Sequence, residues 1–228
     1  MSRKNESPKV GVATEFIQLY SKEKMNSKDI TLYGCPFQES ASSSTWRVRA
    51  ALHYKQLEYN EVSSASVENY NKEINPMGMI PAIKLPKFGD RVFSESLPIL
   101  ELLEETYPSS PKLLPDCPVD RYRVRHICEI VNAGMQPHQS FGTLQKLNLI
   151  KEAEEEFVEK MMLRGINALE ELIDENFCVG SSLTMADLYF VPQIRNITER
   201  WQKIDISPYP KVNGLYKKLN NHDCFQLI

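Results

Sequence analysis

The chain is poor in the features that mark several large functional classes. It has four histidines and five cysteines in 228 residues. None of Cys35, Cys117, Cys128, Cys178 or Cys224 falls in a CxxC pair, and His53, His126, His138 and His222 stand singly. That excludes the closely spaced ligand pairs of a structural zinc site, so no metal centre is expected. An odd set of cysteines without a disulfide framework fits a reducing compartment, and the expected location is cytoplasmic. Long apolar runs are also missing: nothing approaches the ~20 residues that span a bilayer, so no membrane partner is expected. Residues 1–8 lead into only a short, weakly apolar patch, unlike a secretory leader. The net charge of −3 comes from 27 basic and 30 acidic residues that are interspersed. With no basic block there is no signature of nucleic-acid binding, and no acidic tail stands out. Internal repeats and low-complexity tracts are absent as well.

What is present is the composition of a soluble globular protein, 42% hydrophobic and 25% charged. The length allows one or two domains with sizeable cores. Residues 1–28 carry charges, Asn and Ser without a sustained period and read as an N-terminal extension with no catalytic part. From residue 29 the pattern alternates. Residues 30–33 read as a strand, 45–55 as a helix, 57–62 as a strand and 67–74 as a short helix. Residues 82–85 and 91–93 form a hairpin whose turn residue is Gly89. Residues 95–107 close the unit as a helix, with Pro98 tolerated in its first turn. This βαβ then ββα order implies a four-stranded mixed sheet.

Residues 108–117 are rich in proline and serine and read as a linker. Residues 118–228 read as helix throughout. Val124, Ile127, Cys128, Val131 and Met135 follow the spacing of a buried stripe, and Phe157, Met161, Ala168, Leu169 and Leu172 make another. Thr184 and Asp187 match a capping box, with Leu183 and Leu188 as its hydrophobic staple, a structural feature that starts a core helix.

The most informative stretch is Ser42-Ser43-Ser44-Thr45-Trp46-Arg47-Val48-Arg49. A run of hydroxyls stops where an amphipathic helix begins, just after a strand. Unpartnered N–H groups and a positive dipole at a helix start favour an anion, and a thiolate there has a lowered pKa. The plainer reading of the same residues is an N-cap. Further along, Asn75-Pro76-Met77-Gly78-Met79-Ile80-Pro81 sets a proline before an apolar strand, and Phe93-Ser94-Glu95-Ser96 opens a helix.

In this order and spacing the chain resembles the glutathione transferase superfamily. The fragments Ser-Ser-x-x-Trp-Arg-Val-Arg, Asn-Pro-Met, Leu-Glu-Glu-Thr-Tyr-Pro, Gly134-Met135-Gln136-Pro137, Val179-Gly180, Thr184-Met185-Ala186-Asp187-Leu188 and Pro208-Tyr209-Pro210 resemble its zeta class, the maleylacetoacetate isomerases. The resemblance runs from about residue 30 to about residue 225. It implies an α/β plus all-α architecture: a thioredoxin-like glutathione-binding domain at 29–107, then an all-helical domain at 118–228. It also implies a homodimer and glutathione as cofactor. The implied reaction is cis–trans isomerisation of maleylacetoacetate to fumarylacetoacetate in phenylalanine and tyrosine catabolism, with transferase activity beside it.

By the same resemblance, Glu95 and Ser96 hold the γ-glutamyl group of glutathione. Ile80, before a cis Pro81, pairs with the cysteinyl amide. Ser42, Ser43, Ser44, Thr45, Trp46 and Arg47 surround the thiol end, with Ser42 activating the thiolate, and Gln136 reaches the ligand from the second domain. Arg200 holds a carboxylate of the substrate, a role suited to its bidentate fork. Arg47 and Arg49 are either attractors of the dianionic substrate or helix-surface charges. Two departures stand out. Ser44 occupies a position where the family usually has cysteine, and the segment between Tyr33 and Trp46 is longer than the family pattern.

Three readings follow. The first is the glutathione-dependent isomerase. The second is a zeta-like transferase for other electrophiles, or a thioltransferase using Cys35, whose Cys35-Pro36-Phe37 context resembles glutaredoxins and omega-class transferases. The third is a non-catalytic paralogue.

Overall fold

The computed structural model describes residues 29–35 and 42–226. The extension at 1–28 and the Pro36 and Phe37 of the Cys-Pro-Phe element lie outside the described residues. Four strands form one mixed sheet: β1 (Thr31–Gly34), β2 (Asn60–Ser63), β3 (Ala82–Lys84) and β4 (Val92–Ser94), in the order β2-β1-β3-β4. β1 runs parallel to β2 and antiparallel to β3, and β3 is antiparallel to β4. Parallel strands need a crossover, which α1 (Ser43–Tyr54) supplies between β1 and β2. α2 (Tyr70–Glu73) precedes β3, and α3 (Ser96–Thr106) follows β4. Gly89 turns the β3–β4 hairpin at φ +64°. This is the mixed sheet that the alternating pattern implies.

The remaining α-helices are α4 (Pro118–Gly134), α5 (Phe141–Leu147), α6 (Lys151–Leu172), α7 (Met185–Arg200) and α8 (Pro210–Leu219). The core continues without a break from the sheet to the helices, from Leu32 and Ile83 through Leu52 and Leu103 to Val124, Leu188 and Phe190. The first expected stripe, Val124 to Met135, is buried at every position.

The second stripe needs a correction. On α6 the deepest positions are Val158, Met162, Gly165, Ile166 and Leu169, while Phe157, Met161, Ala168 and Leu172 are only half-buried. The helix is rotated by about one residue from the face that its largest apolar side chains suggest. Gly165 explains the rotation: a Cβ there would lie 2.3 Å from Cγ of Met135. A residue without a side chain therefore marks the closest approach.

Two polar clusters tie the elements together. Asp187 accepts hydrogen bonds from the Thr184 backbone at 2.7 Å and the Thr184 hydroxyl at 3.0 Å, which starts α7 as the capping pattern anticipates. It also accepts from the Cys178 backbone at 2.6 Å. Lys55, whose side chain is fully buried at the end of α1, donates to Glu104 at 2.7 Å and to Ser110 and the Pro111 carbonyl at 3.0 Å. Glu104 in turn accepts from the backbone of Leu113 and Leu114. The Pro- and Ser-rich connection is thus pinned to both α1 and α3.

Candidate functional site

The site is assembled where three backbone ends meet. β1 ends at Gly34, where a Cβ would lie 2.3 Å from Cγ2 of Thr45, so only glycine lets the start of α1 come this close to the strand. β3 begins just after Pro81, and Ala82 pairs with Ser94, which brings Ile80 beside the β4–α3 corner at Glu95 and Ser96. The Ile80–Pro81 bond is cis, as the resemblance implies.

At the start of α1 the serines are not equivalent. Ser42 is the N-cap and its hydroxyl oxygen accepts from the Thr45 backbone at 3.3 Å and the Thr45 hydroxyl at 3.1 Å. Ser44 donates to the Ile80 carbonyl at 3.2 Å. The two serine hydroxyls are 3.2 Å apart. Because the Ser44 proton is committed to Ile80, Ser42 is the donor of that pair. A hydroxyl has one proton and two lone pairs. Ser42 therefore has both lone pairs engaged and its proton available to Ser44 or to an anion at the helix start. Ser43 is buried in the first turn of α1. The N-cap reading holds for Ser42, and the same cap sits at a helix start whose potential favours an anion.

The rest of the hydroxyl motif turns inward. Thr45 and Arg47 are fully buried, and Trp46 is 5% exposed. The Trp46 ring packs edge-on against Phe225 at 6.1 Å, with the Arg195 guanidinium 4.8 Å from its centroid. The side chains of Thr45, Trp46 and Arg47 thus support the site from behind and do not line it. Arg47 donates to Ser96 at 3.3 Å and to Asn132 at 3.4 Å, and sits 3.9 Å over the Tyr189 ring. Arg49 is no attractor of a dianion: it forks onto Glu61, with 2.8 Å between Nε and Oε2, and donates to the Cys35 carbonyl at 2.6 Å.

At the β4–α3 corner Glu95 is exposed and holds φ at +69°, a left-handed conformation that costs a non-glycine residue on the order of 1–3 kcal/mol. Ser96 opens α3 and is 5% exposed. Asn75 was legible only as part of a motif, yet it organises this corner. Its amide nitrogen donates to the Met79 carbonyl at 2.7 Å and reaches Glu95 at 3.5 Å, and its oxygen accepts from the Met77 backbone at 3.0 Å. An Asn two residues before a backbone donor is an Asx-turn signature, and that signal points to it in the sequence. Nothing in the chain pattern singles out Tyr189 or Asn132, which sit inside regular helices.

Gln136 opens the 3-10 turn Gln136–Gln139 after α4 and is half-buried. Arg200 donates to the Gln139 carbonyl at 3.3 Å and lies 5.2 Å from the Trp201 ring centroid. It lines a cleft of about 240 Å³ with Glu155 and Glu159. No hydrogen bond among the described residues joins it to the Ser42–Ile80–Ser96 group. A larger open cleft of about 1010 Å³, lined by His53, Tyr54, His222 and Cys224 among others, lies at the far end of α1 and contains none of these residues. Cavity size therefore does not locate the chemistry here. Among the described residues no group of three or more His, Cys, Asp or Glu could hold a metal, and no helix is long and apolar enough to cross a membrane.

The donors and acceptors of this group fit a thiol peptide with an anionic end. It offers a hydroxyl at one helix start, a free carbonyl lone pair on Ile80, and a hydroxyl backed by a buried cation at a second helix start.

Comparison with known proteins agrees. Residues 32–111 match the glutathione S-transferase N-terminal domain, and residues 139–224 match the glutathione S-transferase C-terminal domain. The maleylacetoacetate isomerase of Mus musculus is 35% identical over 196 residues, which covers 82% of this chain and 87% of the relative. A maleyl pyruvate isomerase described as a bacterial zeta-class glutathione S-transferase superposes with a TM-score of 0.76 at 27% identity, covering 86% of this chain and 94% of that one. The maleylacetoacetate isomerase of Anaeromyxobacter dehalogenans, solved with glutathione in its active site, has a TM-score of 0.71 at 31% identity, covering 86% and 93%. The chain belongs to the glutathione S-transferase family, in the zeta-class group that contains the maleylacetoacetate isomerases.

Proposed function

We propose that the chain is a glutathione-dependent cis–trans isomerase of an unsaturated diacid, with maleylacetoacetate as the leading substrate. The observation that carries the reading is the hydroxyl arrangement at α1: Ser44 is committed to Ile80, and the Ser42 proton, which faces Ser44, would turn to a thiolate at the helix start. Bound glutathione would supply the thiolate that adds to the conjugated cis double bond, frees rotation about the resulting single bond, and leaves.

The chain's own residues do the rest. Ser42 and the start of α1 stabilise negative charge on sulfur and so lower the thiol pKa. Ile80 keeps one carbonyl lone pair for the cysteinyl amide while the other holds Ser44. Glu95 takes the γ-glutamyl amine and Ser96 its carboxylate, and Gln136 reaches over from the helical half. Arg200 is assigned a substrate carboxylate through the guanidinium donors that Gln139 leaves unused. Catalysis of this kind needs no enzyme cysteine, so serine at position 44 is compatible with turnover. A homodimer working in the cytoplasm completes the reading, with residues 108–117 joining the glutathione-binding and helical domains.

A second reading keeps the site and changes the electrophile. The similarity to a maleyl pyruvate isomerase supports a related diacid. The Cys35 thioltransferase reading has less support: no hydrogen bond among the described residues joins Cys35 to the Ser42–Ile80–Ser96 group, and its carbonyl is held by Arg49. The test is an isomerase assay on maleylacetoacetate and maleylpyruvate with and without glutathione. Turnover of either diacid only when glutathione is present is the expected result. Binding of glutathione with no turnover of either would favour the non-catalytic paralogue.

A further inference from the structure

Arg47 is a cation without a counter-charge. Its side chain is completely buried, and its Nε and Nη2 meet no hydrogen-bond partner among the described residues. The other deeply buried cations are paired, Arg49 with Glu61 and Lys55 with Glu104, but Arg47 makes no ion pair among the described residues. The groups that face it are Ser96 on α3, Asn132 and Cys128 on α4, and Tyr189 on α7. All are neutral near pH 7, because burial raises the Tyr189 phenol to about 12 and pushes the Cys128 thiol far above its usual range. Burial also lowers the pKa of Arg47 itself, yet a guanidinium starts so high that it keeps its proton. A buried charge with no partner is costly. The structure holds one where the site meets the helical half.

Of the two acceptors of Arg47, Asn132 and Ser96, only Ser96 stands at the start of α3. Nη1 donates to Ser96, whose hydroxyl is also 3.2 Å from that of Tyr189. When Tyr189 donates, both lone pairs of Ser96 are filled and its own proton is left for a third partner. A hydroxyl that accepts from a cation is a stronger donor, and the start of α3 adds potential of the same sign.

We propose that Arg47 is the buried counter-charge of the γ-glutamyl carboxylate of glutathione, acting through Ser96, and that it makes the site selective for thiol peptides bearing that carboxylate. Arg47 is a positioning residue here and touches no ligand. The inference rests on the glutathione reading above and deepens it.

Isothermal titration with two peptides separates this role from simple packing. One is glutathione. The other is 4-aminobutyryl-cysteinylglycine, the same peptide lacking only that carboxylate. The wild-type protein is expected to prefer glutathione by roughly tenfold or more, the size of a hydrogen bond to a charged group. Arg47→Met should bring both affinities close to the wild-type value for the analogue. Asn132→Asp is nearly isosteric and gives the guanidinium an internal carboxylate. It should reduce the preference several-fold with little change for the analogue, and it stands in if Arg47→Met does not fold. Folded variants that keep the wild-type preference, or that weaken both peptides equally, would overturn the role of Arg47. A wild-type protein that binds glutathione with no preference would instead remove the γ-glutamyl assignment of Ser96, and the inference with it.

Discussion

At the scale of single residues, the site turns on how three serine hydroxyls are spent. Ser42 accepts twice and turns its own proton toward Ser44, Ser44 spends its proton on Ile80, and Ser43 is buried. Ser42→Ala should raise the pKa of bound glutathione and slow turnover, while Ser44→Cys should leave isomerisation within a small factor. A thiolate absorbance titration of the Ser42, Ser43 and Ser44 alanine variants checks this. Identical titrations in all three, with glutathione still bound, would sink the assignment of Ser42. Position matters here, since a shift of about 1 Å can cost roughly 100-fold in rate. The candidate residues were legible because hydroxyls before a helix and Glu-Ser at a second helix start each have a local signature. The division of labour among them was not, because it depends on the Ile80 carbonyl, which lies far along the chain. Arg47 was harder still. The resemblance puts it at the thiol end, as an attractor of the substrate or as a surface charge, and its burial beside Tyr189 and Asn132 is a contact that no local pattern connects to it.

At the scale of elements, agreement follows how local the cause is. The hairpin at Gly89, the α4 stripe and the Thr184–Asp187 cap each depend on a few neighbouring residues, and each forms where the pattern puts it. The face of α6 depends on a contact with Met135 across the bundle, and there the large side chains mislead. The same logic yields a stability prediction for α7. Asp187 satisfies three donors in a fully buried setting. Asp187→Ala would leave those donors unpaired and should destabilise the fold by roughly 2–5 kcal/mol, combining a lost cap with buried unsatisfied groups. Urea denaturation measures it, and a change under about 1 kcal/mol would show that water or rearrangement replaces the carboxylate.

At the scale of the whole molecule, the continuous core predicts how its thiols behave. Cys128, Cys178 and Cys224 are buried, and desolvation raises all three, Cys224 to about 12. Cys117 is exposed and Cys35 half-exposed. A thiol reagent at pH 7 should therefore modify at most Cys35 and Cys117 in the native protein and all five after unfolding, counted by mass spectrometry. The sign of the pH effect follows. Below the ordinary thiol value of 9.0, folded and unfolded chains both keep these protons. Above it the unfolded chain sheds them first, so stability should fall as pH rises from about 9 toward 12. A melting temperature that holds steady across that window would contradict the burial of these side chains.

The Arg47 cluster also bears on inheritance. Its guanidinium is carried by the sheet half, while Asn132 and the Tyr189 ring come from the helical half. Chimaeras joining the front half of this chain to the back half of a cousin would transplant the cation without its bedding. Such a hybrid could fold around the rest of the seam and still lose its hold on the ligand. The two halves are therefore expected to have been selected as a matched set, with recombination between them tolerated only where both sides of this cluster travel together.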